Sequence, residues 1–282
     1  TIRMSMNLAG LSDVPQTISV ASGYQFTGTV DEVEYTFQTQ ETIQASDDGN
    51  GYYQFQTLDG SADILVYEGT PRTKTFVAGS DNDTSLYIIP DKNIDIETAV
   101  VRVYESATST QFATYTPLNK ATSLSSQSTI YVLKEAPNGF YELSFGNGNT
   151  LGVNPEPGTK VVVSYLSTSG ETGNGAKVFE PVSRIEVTEP DSGIGEQRFP
   201  VISTINNSVG GSAAEDLDSI RRNAPFQYAA QNRMVTYADY ASLALRNFSN
   251  FITDVIAWGG EDNIYPEFGA VYISTIFKAG LT

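Results

Sequence analysis

Apolar and polar side chains alternate with a period of two through most of the first 180 residues, which predicts β-strands. Val33, Tyr35 and Phe37 alternate with Glu34 and Thr36, as in a strand that buries one face. Turns rich in Asp, Asn and Gly separate such runs, and short strands at this spacing favour sandwich-like or barrel-like β domains. Four other runs are apolar on both faces, as in strands covered on both sides: residues 64–67, 100–104, 130–133 and 161–163.

The period changes to that of a helix after residue 205. Ala213, Leu217 and Ile220 recur at helical spacing, and Ser212 with a glutamate three residues later fits a capping box. We expect Pro225 to end this helix, because proline lacks the amide donor that the helix interior needs.

A second helix is predicted to begin at Thr236, with Asp239 three residues later, and strands are predicted at 252–258 and 270–277. The predicted fold class is α+β, mainly β: sandwich- or barrel-like β domains followed by a smaller α+β domain with two helices on a short sheet. A length of 282 residues fits two domains at about 150 residues each, or three smaller ones. The predicted domains are 1–75, 76–180 and 181–282, the last with helices near 212–224 and 236–248.

The chain contains neither cysteine nor histidine, which removes many catalytic and metal-binding arrangements. Disulfides, thiolate or imidazole metal ligands, cysteine nucleophiles and Ser-His-Asp triads are excluded. Carboxylates, lysine, tyrosine, serine and threonine remain for chemistry, which disfavours most enzyme classes and leaves carboxylate-based ones open. We predict no catalytic residue, no metal and no cofactor. Two acidic turns, at residues 47–50 and 81–83, lack the glutamate of an EF-hand loop, so we interpret them as ordinary turns.

The charge of the chain is strongly negative, with 16 basic and 33 acidic residues and a formal net charge of -17. We expect neither binding to nucleic acid through phosphate attraction nor binding to anionic membranes. Between Ser219 and Thr253 the pattern reverses, because four arginines accompany one acidic residue, Asp239, for a local charge of +3. Everything else then carries -20, since -17 minus 3 is -20. Such a patch suits contact with an acidic neighbour, either another copy or a different partner.

Two blocks of sequence follow each other between residues 140 and 245. The first joins residues 140–148, which read Phe-Tyr-Glu-Leu-Ser-Phe-Gly-Asn-Gly, to residues 157–158, 161–166 and 173–175. The second joins residues 210–215, 220–225, 231–236 and 239–240. In this order the blocks resemble the baseplate J-like family of contractile-tailed bacteriophages. The Phe-Gly-Asn-Gly run is also expected to end a strand in a turn that needs positive φ.

The resemblance implies a structural protein of the phage tail baseplate and not an enzyme. It implies a wedge subunit that joins neighbouring wedges into a ring, with a homodimer or ring of the same subunit and other baseplate wedge proteins as partners. It implies no nucleic acid, membrane or small-molecule substrate, and a place in the virion tail baseplate after assembly in the host cytoplasm. The family's chains extend beyond both ends of this one. Because it begins with Thr1 and ends just after a strand-like run, we also expect a piece of a longer protein.

The helical segment from Ser212 to Phe248 is expected to form part of a subunit contact. An alternative role for its first two arginines is a solvated helix end with favourable dipole placement. Two other functions also stay open: a carbohydrate-binding adhesin or tail-fibre-like module, suggested by the Tyr- and Asn-rich first half, and a carboxylate hydrolase. The candidate interface residues are Arg221, Arg222, Arg233, Tyr237, Tyr240 and Arg246.

Overall fold

A computed structural model describes residues 1–9, 11, 14–79, 87–188, 193, 195–213, 217–230, 233–248 and 251–278. Strands account for 45% of the chain and helices for 12%, with a nearly closed barrel-like sheet and two helices near the C-terminus. The predicted fold class, α+β and mainly β, is confirmed. The chain divides into two units: residues 1–169 with 176–207, and residues 170–175 with 208–282.

The described residues of the first unit form eighteen strands. In chain order they are β1 (Ile2–Asn7), β2 (Thr17–Val20), β3 (Gln25–Val30), β4 (Val33–Thr39), β5 (Ile43–Ser46), β6 (Tyr52–Gln54), β7 (Val66–Glu68), β8 (Thr70–Val77), β9 (Tyr87–Ile89), β10 (Ile94–Tyr104), β11 (Phe112–Pro117), β12 (Ile130–Glu135), β13 (Tyr141–Phe145), β14 (Lys160–Ser167), β15 (Phe179–Pro181), β16 (Ile185–Thr188), β17 (Gly195–Arg198) and β18 (Val201–Thr204).

The first core of this unit joins the beginning of the chain to residues 176–202. Its sheets run in the orders β18-β1-β6 and β15-β3-β4-β7, with the pairs β2-β5 and β16-β17 beside them. Phe37 of β4 and Phe179 of β15 meet edge to face, with ring centroids 4.9 Å apart. Because β18 pairs with β1, residues 181–207 belong to the first unit, which differs from the predicted start of the last domain at residue 181.

The second core lies in a seven-stranded, nearly closed sheet with the order β8-β14-β10-β11-β12-β13-β9. Val101 and Val103 of β10 and Val161 and Val163 of β14 are buried at alternate positions, as the period of two requires. The predicted boundary between residues 75 and 76 falls inside β8, which pairs with β14 along its whole length.

A row of aromatic rings links the two edge strands of this sheet. Phe76 of β8 meets Tyr87 of β9 with ring centroids 5.4 Å apart, at a near-perpendicular angle. Tyr87 also meets Phe145 at 5.5 Å, and Phe145 meets Tyr115 at 5.4 Å. Edge-to-face rings attract one another beyond the burial of their area, so this row holds the two edges of the sheet together.

The run at 64–67 differs from the predicted strand covered on both faces. Only its second half is in β7, while Ile64 makes an isolated bridge to Ile2. Ile64 is fully buried, but Leu65 and Tyr67 are exposed, so one face of this run is open to solvent.

The turn after β13 is organised by one asparagine side chain. Asn147 Oδ1 accepts hydrogen bonds from the backbone N–H groups of Asn149, Thr150 and Leu151 at 3.1, 2.9 and 3.0 Å. The predicted positive φ is confirmed at Gly148, where φ is 72°. An aspartate carboxylate at this position would accept the same three hydrogen bonds.

The described residues of the second unit form two α-helices and a two-stranded antiparallel sheet. They are α1 (Leu217–Ala230), α2 (Tyr237–Asn247), β19 (Ile252–Gly259) and β20 (Val271–Phe277). Helix α2 packs against both strands, and α1 packs against α2.

The expectation that Pro225 ends the first helix is wrong, because α1 continues through it to Ala230. Proline removes one helical hydrogen bond, from its own nitrogen to the carbonyl four residues earlier, while Ala224 before it and Ala229 and Ala230 after it are strong helix formers. Arg221 and Arg222 therefore lie in the middle of α1, so their alternative role as a dipole-stabilised helix end is also wrong. The glutamate of the predicted capping box at its start lies outside the described residues.

Candidate subunit interface

Two glycine-rich segments of the second unit are joined by a reciprocal pair of hydrogen bonds, which we call the clasp. Asn174 Nδ2 donates to the Gly211 carbonyl at 2.8 Å, and the Gly211 N–H donates to Asn174 Oδ1 at 2.9 Å. Ser208 adds a bond from its hydroxyl to the Gly173 carbonyl at 2.7 Å. The clasp thus brings together residues from both sequence blocks of the resemblance, and it fixes the chain just before α1.

The two arginines of α1 lie on an exposed surface. Arg221 pairs with Asp218 at 3.3 Å, but both side chains are at least three-quarters exposed, so the pair contributes little to stability. Leu217, Asp218, Arg221 and Arg222 together line an open depression. This surface combines positive charge with exposed apolar area, which is the composition of many protein interfaces.

Helix α2 begins with the capping box that the sequence predicted. Thr236 accepts from the Asp239 N–H at 3.3 Å, and the Asp239 carboxylate accepts from the Thr236 N–H at 2.8 Å. That backbone hydrogen bond is the main cause that lowers the pKa of Asp239, and the positive charge of Arg233 adds to it. Arg233 therefore lies within electrostatic reach of the start of α2.

The other candidate residues lie on different sides of α2. Tyr237 is exposed, Tyr240 is half-buried, and Leu243 is the residue of this helix that is buried. Arg246 follows Tyr237 by nine residues, which is two and a half turns, so it lies on the opposite side of the helix. The structure thus does not bring Arg246 and Tyr237 onto one face of α2.

The β19–β20 sheet exposes apolar side chains. Its register places Ile256, Trp258, Tyr272 and Ile276 on one face, where Ile256 and Ile276 are largely exposed. Trp258 and Tyr272 stack with ring centroids 5.8 Å apart. No third strand among the described residues pairs with this sheet, and two-stranded sheets are marginal alone.

The loop between these strands carries three apolar residues that sequence reasoning missed. We call residues 260–269 the hairpin loop; the sequence reading treated it only as a connection. Ile264, Tyr265 and Phe268 are 94%, 87% and 85% exposed. Large apolar side chains in a loop that is bounded by glycines are unusual, because such loops usually carry polar residues, and this sequence signal could have identified the three residues.

The second unit as a whole buries little of its apolar surface. Among its described residues only Leu243, Ile252 and Ala257 are buried hydrophobics, whereas seventeen large hydrophobics are exposed. Monomeric soluble proteins rarely leave such extensive apolar surface in contact with water. The candidate arginines lie in the same unit.

In the acidic turn at residues 47–50, aspartate side chains accept hydrogen bonds from nearby backbone N–H groups. Asp47 accepts from the Gly51 N–H at 2.7 Å, and Asp48 accepts from the Asn50 N–H at 2.8 Å. The second acidic turn, at residues 81–83, lies outside the described residues. No group of three or more acidic side chains in the described ranges could hold a metal ion.

An open cleft of about 430 Å³ lies at one end of the barrel-like sheet. Lys160 Nζ lies 3.9 Å from the ring centroid of Tyr104 in its wall. The cleft combines aromatic rings with amide and carboxylate groups, namely Tyr104, Phe112, Tyr115, Gln111, Asn154 and Glu156.

Comparison with known proteins links the chain to a phage structural protein. No family model matches it, so the baseplate J-like assignment stays a prediction. The chain is 27% identical over 264 residues to the baseplate wedge protein gp6 of Enterobacteria phage T4, with 88% of this chain covered. It spans about a third, 36%, of the length of that relative. No helix in the described part of the chain has the length and apolar composition needed to cross a membrane.

Proposed function

We propose that this chain is a structural component of a phage tail baseplate wedge and that it joins neighbouring wedges into a ring through homomeric and heteromeric contacts. The observation that carries the proposal is the second unit, which has seventeen exposed large hydrophobics and three buried hydrophobic residues, one of them an alanine, among its described residues. The similarity to a baseplate wedge protein supports a location in the tail baseplate and a non-enzymatic role.

The exposed apolar surface is suited to assembly because partners can bury it. A stable contact buries more than about 1,000 Å² in total. Burial of apolar area drives such contacts, while the arginines select an acidic partner surface and fix its orientation. The surface that we assign to the contact combines α1 with residues 233–237.

The location can be tested in virions of the phage that encodes the chain. Antibodies raised against the purified chain should label the baseplate end of isolated tails in immuno-electron microscopy. Labelling confined to the fibres would refute the baseplate role. So would the absence of labelling on intact particles, provided that the same antibodies react with the denatured proteins of those particles.

Charge reversal of the α1 arginines should weaken assembly. For Arg221→Glu with Arg222→Glu, we expect self-association to weaken by about tenfold or more, since like charges then face the acidic partner surface. Light scattering over a dilution series from about tens of micromolar downward, the range in which weak subunit contacts dissociate, measures this directly.

A matched control separates this effect from a change in net charge. Lys134→Glu with Lys177→Glu changes the charge by the same amount at exposed positions of the first unit. The control should associate like the unaltered chain. Equal association of the arginine variant and the control would contradict the assigned contact surface.

Carbohydrate binding is a second candidate function, favoured by the barrel-end cleft. The exposed ring of Phe112 can stack on a sugar face, and the amide and carboxylate groups that line the cleft can bond sugar hydroxyls. A glycan array probed with the chain and with Phe112→Ala tests it. Binding lost in the variant would support this function, and an array without hits would remove it.

A further inference from the structure

The hairpin loop is ordered before any partner binds. The Gly260 carbonyl accepts from the N–H groups of Asn263 and Glu267 at 3.2 and 3.0 Å. Trp258 Nε1 donates to Asn263 Oδ1 at 2.8 Å, and the Tyr272 hydroxyl donates to Glu267 Oε2 at 2.6 Å. Binding through this loop therefore orders few additional groups, which lowers the entropic cost of association.

The loop displays apolar anchors beside negative charge. Its three apolar side chains are almost fully exposed, and two of them are aromatic, the kind that dominates interface energetics. Glu261, Asp262 and Glu267 lie within the same ten residues, and the loop contains no lysine or arginine. Its natural partner is therefore an apolar surface with positive charge.

The second unit exposes positive charge and apolar side chains of the complementary kind on α1 and on the segment before α2. Arg221, Arg222 and Arg233 are exposed on α1 and just before α2. They are accompanied by exposed apolar side chains, namely Leu217, Ile220, Tyr228, Met234 and Val235. We call these eight residues the helical face.

The loop of one molecule does not use its own helical face, because Ile264, Tyr265 and Phe268 remain exposed in the single chain. We propose that the hairpin loop of one copy binds the helical face of a second copy. The inference rests on the proposed function and names the partner of its contact surface. Two copies can exchange this contact reciprocally in a two-fold dimer, or each copy can bind the next one head-to-tail in a ring or filament.

A charge-swap experiment on the 282-residue chain tests this contact. The loop variant is Glu261→Lys with Asp262→Lys, and the helix variant is Arg221→Glu with Arg222→Glu. We expect each variant alone to associate about tenfold or more weakly than the unaltered chain. An equimolar mixture should recover association, because each reversed loop then meets a reversed helical face and each unaltered loop an unaltered one.

Controls separate folding and net charge from the contact itself. Glu34→Lys with Glu41→Lys reverses two exposed acids of the first unit and should not change association. Trp258 is the only tryptophan and bonds to the loop, so unchanged fluorescence of the dilute variants shows that the hairpin remains folded.

The outcomes separate this contact from the wider proposal. A weakened helix variant with an unaffected loop variant would overturn the loop contact and leave the helical face as an interface for another partner. No recovery in the mixture, or an unaltered chain that is monomeric at every concentration, would also overturn it. The baseplate role is judged separately, by the antibody labelling of isolated tails.

Discussion

Replacing Tyr87 with alanine is expected to lower the free energy of unfolding of the first unit by about 3–5 kcal/mol, the usual cost of removing a buried aromatic ring. Tyr87 is 6% exposed and contacts the rings of Phe76 and Phe145. Phe76 lies on β8 and Tyr87 on β9, the two edge strands of the barrel-like sheet. The substitution thus removes the link across the edges as well as apolar burial.

Urea unfolding followed by far-UV circular dichroism measures the loss, since the first unit contains most of the strands. Tyr87→Phe is the matched control because it keeps the ring and removes only the hydroxyl. We expect it to cost much less than Tyr87→Ala, because the ring and its burial are kept. Equal losses for the two variants would show that the ring row does not hold the edges together.

The row also shows what a single sequence can and cannot predict. The strands of the barrel-like sheet follow from local patterns, such as the apolar runs at 100–104 and 161–163. Their order in the sheet does not, because β8 pairs with β14 across more than eighty residues and no local signal specifies that register. The predicted boundary between residues 75 and 76 falls inside β8 because this long-range pairing has no signal in the local sequence.

Local rules were reliable for α2 and misleading for α1. Thr236 and Asp239 form a capping box through contacts within one turn, so sequence alone predicts it. Pro225 carries an equally local signal, but a helix can continue through one missing hydrogen bond. The candidate arginines were identified from charge, whereas the hairpin loop was missed because exposure depends on packing that no local pattern contains.

The clasp is a contact between distant segments that sequence blocks alone did not reveal. Asn174 and Gly211 are separated by 37 residues, and each belongs to a different block of the resemblance. A side chain at position 211 would place its Cβ 2.1 Å from the Gly170 carbonyl oxygen, far closer than atoms approach. Glycine is therefore required there for close backbone approach.

Gly211→Ala is expected to open the clasp and to destabilise the second unit by about 2–4 kcal/mol, from overpacking and two lost hydrogen bonds. Trp258 is the only tryptophan and lies in this unit, so fluorescence-detected urea unfolding reports the change selectively. Asn174→Asp should cost less than Gly211→Ala, because the carboxylate still accepts from the Gly211 N–H but no longer donates.

Val209→Ala provides the matched control at an exposed neighbouring position, and we expect it to change stability by less than about 0.5 kcal/mol. If Gly211→Ala unfolds like this control, the clasp does not anchor the second unit. If Gly211→Ala unfolds at a lower urea concentration than this control, the clasp holds the segment that leads into α1. It would then position the arginines of the proposed interface, because Gly211 lies shortly before α1 in the chain.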